Sequence, residues 1–162
     1  MSSGKTGKKL DHAGKNAREA LDILKDLGHV DVGNAYRVLG VLELSRNDLK
    51  KAKDNFIKAL REFYKSTHGR RTVWCAVAFW NMHITFIEQD EKKDSLPWLK
   101  KAAILHAEIE GDKHPYTRQY RDSLEKLMRD ETDAGGTDKD FKLSDDEAKA
   151  IAAVLDLSLA LL

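Results

Sequence analysis

The residues best suited to ligate a metal or to act as acid, base or nucleophile are one cysteine, Cys75, and the histidines His12, His29, His68, His83, His106 and His114. A zinc site needs ligands that converge at set spacings. No two of these histidines lie three or four residues apart on one helical stretch beside a carboxylate, and Cys75 and His83 are eight apart. They read as turn, surface and buried hydrogen-bonded histidines. A nucleophilic cysteine needs a base and a group that orients the base. Cys75 stands in an apolar stretch and reads as a small buried hydrophobe. The Asp and Glu pairs fall in turns and on solvated faces, so no carboxylate dyad for acid–base work is expected. Gly4-Lys5-Thr6 invites a phosphate-loop reading, but that loop needs an earlier glycine, a preceding strand and a following helix. Only three residues precede it here, and the stretch reads as a flexible tail. Arg70 and Arg71, with Lys65 and His68 before them and Trp74 after, form the densest basic cluster. Its two readings are a phosphate or nucleic-acid contact and a solvated helix start; no wider basic face accompanies it, which favours the second. The expectation is a protein that is not an enzyme, with no catalytic residue, no metal and no cofactor.

The elements that carry these residues are organised around Gly33–Tyr64, GNAYRVLGVLELSRNDLKKAKDNFIKALREFY. Tyr36, Leu39, Gly40 and Leu44 recur at helical spacing, and so do Ala52, Phe56, Ala59 and Leu60. Between them, Ser45-Arg46-Asn47-Asp48 is a cluster of turn and N-cap formers. Two helices this short cannot bury their stripes on each other alone, so copies are expected. A shift of 43 residues carries Ala52, Phe56 and Ala59 onto Ser95, Leu99 and Ala102, and Tyr36, Leu39 and Gly40 onto Phe79, Met82 and His83. A shift back by 35 from Ala52 lands on Ala17, Leu21 and Leu24.

With those residues in view, the segment resembles a tetratricopeptide repeat: an aromatic, Leu-Gly three and four residues on, then Ala-x-x-x-Phe-x-x-Ala. Tyr36, Leu39, Gly40, Ala52, Phe56 and Ala59 match that spacing, whereas Glu43 stands where an aromatic is usual and no proline closes the repeat near Tyr64. The second unit is longer, and with Gly111-Asp-Lys-His-Pro115 it is similar to the kinesin-light-chain type of repeat. The resemblance covers roughly residues 12 to 130. It implies an all-α, right-handed α-α superhelix, a solenoid of about six to seven antiparallel helices.

Composition agrees with a helical chain. Of 162 residues, 41% are hydrophobic and 34% charged, with Gly 10 and Pro 2. Low proline and abundant Ala, Leu, Lys, Glu and Asp favour helix. Net charge is +1, so no global field draws nucleic acid or an anionic membrane. No apolar run approaches the ~20 residues that span a bilayer. The basic N-terminal stretch has no apolar core after it, so it does not read as a secretory signal, and a lone cysteine suits a reducing compartment. A cytoplasmic location is expected.

In chain order, residues 1–10 are expected as a disordered tail and 11–130 as the repeat domain. The first helix runs from about Asp11 to Leu27 with Gly28 as its C-cap, and Asp31 caps the second. The third ends near Ser66-Thr67-His68-Gly69. The fourth, Thr72 to Gln89, is apolar all round and so is buried on more than one face. Pro97 belongs to the first turn of the fifth, where its missing N–H costs nothing. The sixth starts at His114-Pro115. A linker, 131–143, precedes a final amphipathic helix, 144–162, opened by the capping box Ser144-Asp-Asp-Glu147. Its leucines would not be left in water.

In the tetratricopeptide family the first helix of each pair lines a concave groove in which partner peptides lie. By position, the resemblance implies Asn34, Arg37 and Val41 in the first complete unit and Val77, Trp80, Asn81 and Ile84 in the second. For Trp80 and Ile84 core packing is an equal alternative. The expected function is a scaffold that binds a protein or peptide partner, an amphipathic helix in particular, with no nucleic acid and no membrane span. The alternative is a self-associating or autoinhibited module whose C-terminal helix fills the groove or swaps into a homodimer.

Overall fold

Leu10, Ala17, Leu21 and Leu24 recur at helical intervals among Lys, Glu and Ala residues, and they form the apolar side of α1 (Ser3–Leu24). The computed structural model describes residues 3–26, 29–131 and 142–162, and no β-strand occurs among them. After α1 come α2 (His29–Ser45), α3 (Leu49–Tyr64), the single-turn α4 (Thr67–Arg70), α5 (Val73–Glu88), α6 (Lys92–Glu110), α7 (Pro115–Glu131) and α8 (Asp145–Leu155). A 3₁₀ turn at Leu159–Leu161 follows. None of the described helices is long and apolar enough to cross a membrane. The chain divides into two units, residues 1–69 and 70–162.

In the first unit α1 packs on α2 and α2 on α3. Ala17 and Leu21 meet Val32, Ala35, Leu39 and Leu42 in one apolar cluster. Arg46 ties the α2–α3 turn back to α1 by an ion pair with Asp11 at 2.7 Å, and also reaches Glu43 at 3.4 Å. Two glycines let α2 and α3 approach closely. A Cβ on Gly40 would lie 2.4 Å from the Phe56 ring, and one on Gly33 would lie 2.7 Å from the Phe63 ring. Each glycine costs about 1 kcal/mol of helix propensity; the buried rings of Phe56 and Phe63 occupy the space released.

The second unit is built on α5 and α6, with α7 and α8 each packed on α6. Thr72 caps α5 by accepting from Cys75 N–H at 3.2 Å. Trp98 lies between Phe79 and Phe86, both ring centroids 6.0 Å away. Gly111 ends α6 with φ 83°, a conformation that favours glycine. Lys100 of α6 pairs with Glu147 of α8 at 2.8 Å, and Lys101 donates to the Leu162 carbonyl oxygen.

The hairpins α2–α3 and α5–α6 share one turn, repeated 43 residues apart. Asn47 (φ 60°) and Asp90 (φ 59°) take the left-handed conformation that short polar side chains tolerate. Asp48 N–H donates to Glu43 O and Glu91 N–H to Phe86 O, each at 2.9 Å. Asn47 N–H reaches Leu44 O at 2.9 Å, and Asp90 N–H reaches Ile87 O at 3.0 Å. Asp48 caps α3 through its side chain, whereas Glu91 makes no such bond. Ala52, Phe56 and Ala59 and their counterparts Ser95, Leu99 and Ala102 are all fully buried.

Several sequence expectations are corrected. Helix occupies residues 3–10, where a disordered tail was expected, because α1 continues back from Leu10, which packs on the cluster of α1 and α2. α1 ends at Leu24, and the cap assigned to Gly28 lies outside the described residues. Asp31 falls within the first turn of α2 instead of capping it. α6 starts at Lys92, so Pro97 lies one turn inside it. The carbonyl of exposed Lys93 there loses its i+4 donor. Most of the linker expected at 131–143 lies outside the described residues. The capping box is present, but α8 stops at Leu155 instead of continuing to 162. Asp156 takes φ 53°, and Leu157 N–H returns to Ala152 O at 3.0 Å, which closes the helix.

Candidate partner-binding face

Although α5 is apolar on every side, packing divides its residues into two sets. Cys75, Ala76, Ala78, Phe79, Met82, His83, Thr85 and Phe86 are buried. Val77, Trp80, Asn81 and Ile84 are half-buried. Their spacing of i, i+3, i+4 and i+7 puts them on one side of the helix. Trp74, 43% exposed, extends the same face toward the N-terminus. The four residues expected in the second unit are therefore brought together.

Trp80 has partners within its own unit. Its ring stacks on Tyr120 of α7 with centroids 4.6 Å apart and planes within 16°. It also lies 5.2 Å from the His83 ring. Asn81 differs: its carboxamide nitrogen is buried and has no hydrogen-bond partner. Such a group typically costs about 1–3 kcal/mol. The Asn81 backbone carbonyl is engaged, accepting from Thr85 Oγ1 at 2.8 Å.

In the first unit Asn34, Arg37 and Val41 share one side of α2. Arg37 Nε donates to Asn34 Oδ1 at 2.9 Å, so these two side chains orient each other. Val41 is 37% exposed. Asn34 also lines a cleft of about 400 Å³ between α1 and α2, with Ala13, Ala20, Leu24 and Val38.

No protein-family model matches this chain, and no curated protein matches it. The internal repetition and the chemistry of the two faces therefore carry the functional reading.

The electrostatics disfavour reactive side chains near α5. Burial pushes the Cys75 thiol up to about 12, so it stays protonated at neutral pH. Burial lowers His83 to about 4, although a hydrogen bond with the Ser95 backbone opposes the shift. His83 Nδ1 is buried and without a partner. Among the described residues, no three His, Cys, Asp or Glu side chains converge as metal ligands. Of the basic cluster noted in the sequence, Lys65 is paired with Glu62 at 2.6 Å.

Sequence reasoning missed the surroundings of Tyr120. His106 of α6 bonds Thr117 Oγ1 through Nδ1 at 2.8 Å. Its ring lies 5.0 Å from His114 and 5.3 Å from Tyr120, edge-on to the tyrosine. Burial, then the neighbouring His114, lowers the His106 pKa. The available signal was the i, i+4 pair Tyr116–Tyr120 on a helix opened by His114-Pro115.

Proposed function

We propose that this chain is a non-enzymatic helical-repeat module, similar to tetratricopeptide repeats, that binds a protein or peptide partner along the first helices of its hairpins. The observation that carries the reading is the face of α5. Val77, Trp80 and Ile84 lie half-buried beside Asn81, whose carboxamide nitrogen lacks a partner. An apolar strip of this kind suits a ligand that brings apolar side chains. The first unit, taken by itself, carries its own pre-oriented polar pair, Asn34 and Arg37, with Val41 on the same side of α2. The shared turn of the two hairpins supports the repeat reading; the right-handed superhelix and a cytoplasmic setting are part of the same proposal.

The test is affinity capture with the intact chain and with Asn81→Ala, Trp80→Ala and Arg37→Ala variants, their helicity checked by circular dichroism. A partner retained by the parent and lost from folded Asn81→Ala and Arg37→Ala supports the reading. An unchanged set of captured proteins sinks it. The alternative, a self-associating module, draws on the exposure of Leu159 (45%) and Leu161 (39%). Light scattering that finds a dimer, dispersed when both leucines become serine, would favour it.

A further inference from the structure

The net charge of +1 conceals a division between the two units. Residues 1–69 carry 14 Lys and Arg against 9 Asp and Glu, a net of +5, and residues 70–162 carry 14 against 18, a net of −4. In the first unit the excess is densest on the N-terminal half of α1, where Lys8, Lys9, His12, Lys15 and Arg18 are all exposed. At 3.6 residues per turn, Lys8, His12 and Lys15 fall within a strip about 60° wide. That strip lies opposite Leu10, Ala17 and Leu21, the side that packs on α2. Asp11 is held by Arg46 at 2.7 Å, and Glu19 reaches Lys15 at 3.7 Å. Among the described residues, Lys8, Lys9 and Arg18 have no carboxylate partner. The first turn of α1 holds no acidic residue. Cations near a helix N-terminus oppose the macrodipole, so folding alone does not account for this arrangement.

We infer that this side of α1 is an electrostatic docking surface for a membrane rich in anionic lipid. Lysine ammoniums are point charges on flexible stems and suit mobile headgroups, whereas recognition of one carboxylate or phosphate in fixed geometry favours the arginine fork. The arginine that is fixed here, Arg46, is already engaged by Asp11 and Glu43. The hollow among Lys8, Asp11, His12 and Lys15 is about 210 Å³, below the ~300–1,000 Å³ of ligand pockets, so a peptide finds no groove. A charged side running about 15 Å along a helix, from Lys8 to Arg18, can instead meet a plane along its whole length. Because the apolar side of α1 is committed to α2, the contact is made by charge, without insertion. This surface does not depend on the repeat reading.

The experiment sediments the full chain with vesicles of phosphatidylcholine alone and of phosphatidylcholine with about one-third phosphatidylserine, at low salt and at about 150 mM NaCl. Binding is expected to the phosphatidylserine vesicles alone, and to weaken as salt rises. The full chain carrying Lys8→Glu, Lys9→Glu and Arg18→Glu should bind about a hundredfold more weakly. Acidic residues at a helix start favour the helix, so this variant keeps its fold, which circular dichroism checks. The same change of charge in the second unit, at exposed Lys113, Arg118 and Lys126, should alter binding by less than about threefold at the higher salt. No binding to either vesicle, equal binding to both, or an equal loss in the two triple variants each overturn the inference. Poly-glutamate that binds the parent chain when the vesicles do not would make an acidic protein the partner, and that too overturns it.

Discussion

Trp80 of α5 lies flat on Tyr120 of α7, and this stack is a contact between two helices that are not neighbours in sequence. Offset aromatic pairs contribute about 0.5–1.5 kcal/mol beyond their buried area. Trp80→Ala is expected to cost about 2–3 kcal/mol, below the full range for a buried tryptophan because Trp80 is half-buried. Tyr120→Phe keeps the ring and is expected to cost less than about 1 kcal/mol. Urea denaturation of both single variants and of the Trp80→Ala, Tyr120→Ala pair would measure the coupling; strict additivity would mean the stack contributes nothing.

A Cβ added to Gly40 would come within 2.4 Å of the Phe56 ring, and this sets a second expectation. Gly40→Ala gains about 1 kcal/mol of helix propensity but overpacks a fully buried ring, at a cost of about 1–3 kcal/mol. Net destabilisation is expected because Phe56 has no exposed side to retreat to. Forty-three residues on, the positions corresponding to Gly40 and Phe56 hold His83 and Leu99, a larger residue and a smaller one. Phe56→Leu should therefore relieve part of the Gly40→Ala defect, so that the double variant is more stable than the sum of the singles. Thermal unfolding of the four proteins decides it.

Acid should weaken the second unit through His83. In the unfolded chain this imidazole takes a proton near 6.5, and in the folded protein only near 4. As pH falls through that window the unfolded state binds more protons, so stability drops; above pH 7 both states are neutral and the effect vanishes. The loss is complete only below pH 4, where it amounts to roughly 3 kcal/mol. His106, lowered by the same burial, acts in the same direction. Unfolding free energies at pH 7 and 5 should differ less in His83→Gln than in the parent, and an identical difference would remove His83 from the account.

The end of α8 is set by the left-handed backbone of Asp156. Asp156→Gly is expected to be neutral or stabilising by up to about 1 kcal/mol, and Asp156→Ala to cost about 1 kcal/mol. Denaturant midpoints would show the ordering; Ala more stable than Gly would indicate that α8 continues past Leu155 in solution.

How far the sequence revealed this molecule follows from the range of the forces involved. Spacing of Tyr36, Leu39, Ala52 and Phe56 announced the first hairpin, and the shift of 43 found the second, because helical periodicity is local. Asp48, Thr72 and Ser144 stand at helix starts as their side-chain chemistry predicts. The break at Asp156 is invisible in the sequence because a leucine-rich stretch reads as helix whether or not one residue turns left-handed. Pro97 reads from sequence as a first-turn residue because the charged run before it has the composition of a loop. At the candidate site, apolarity of Thr72–Gln89 marked the helix but could not divide its faces. The stack on Tyr120 and the orphaned nitrogen of Asn81 depend on tertiary packing, which periodicity does not encode.

The exchange of bulk between the hairpins bears on how the chain avoids assembling wrongly. Chains built from similar units risk pairing the first helix of one with the second helix of another. Here such a mismatch is penalised in both directions. Gly40 set against Leu99 would leave a void, and His83 set against Phe56 would crowd a ring that has no free side. The departures from ideal repetition at these positions thus make the helices of the two hairpins poor substitutes for one another.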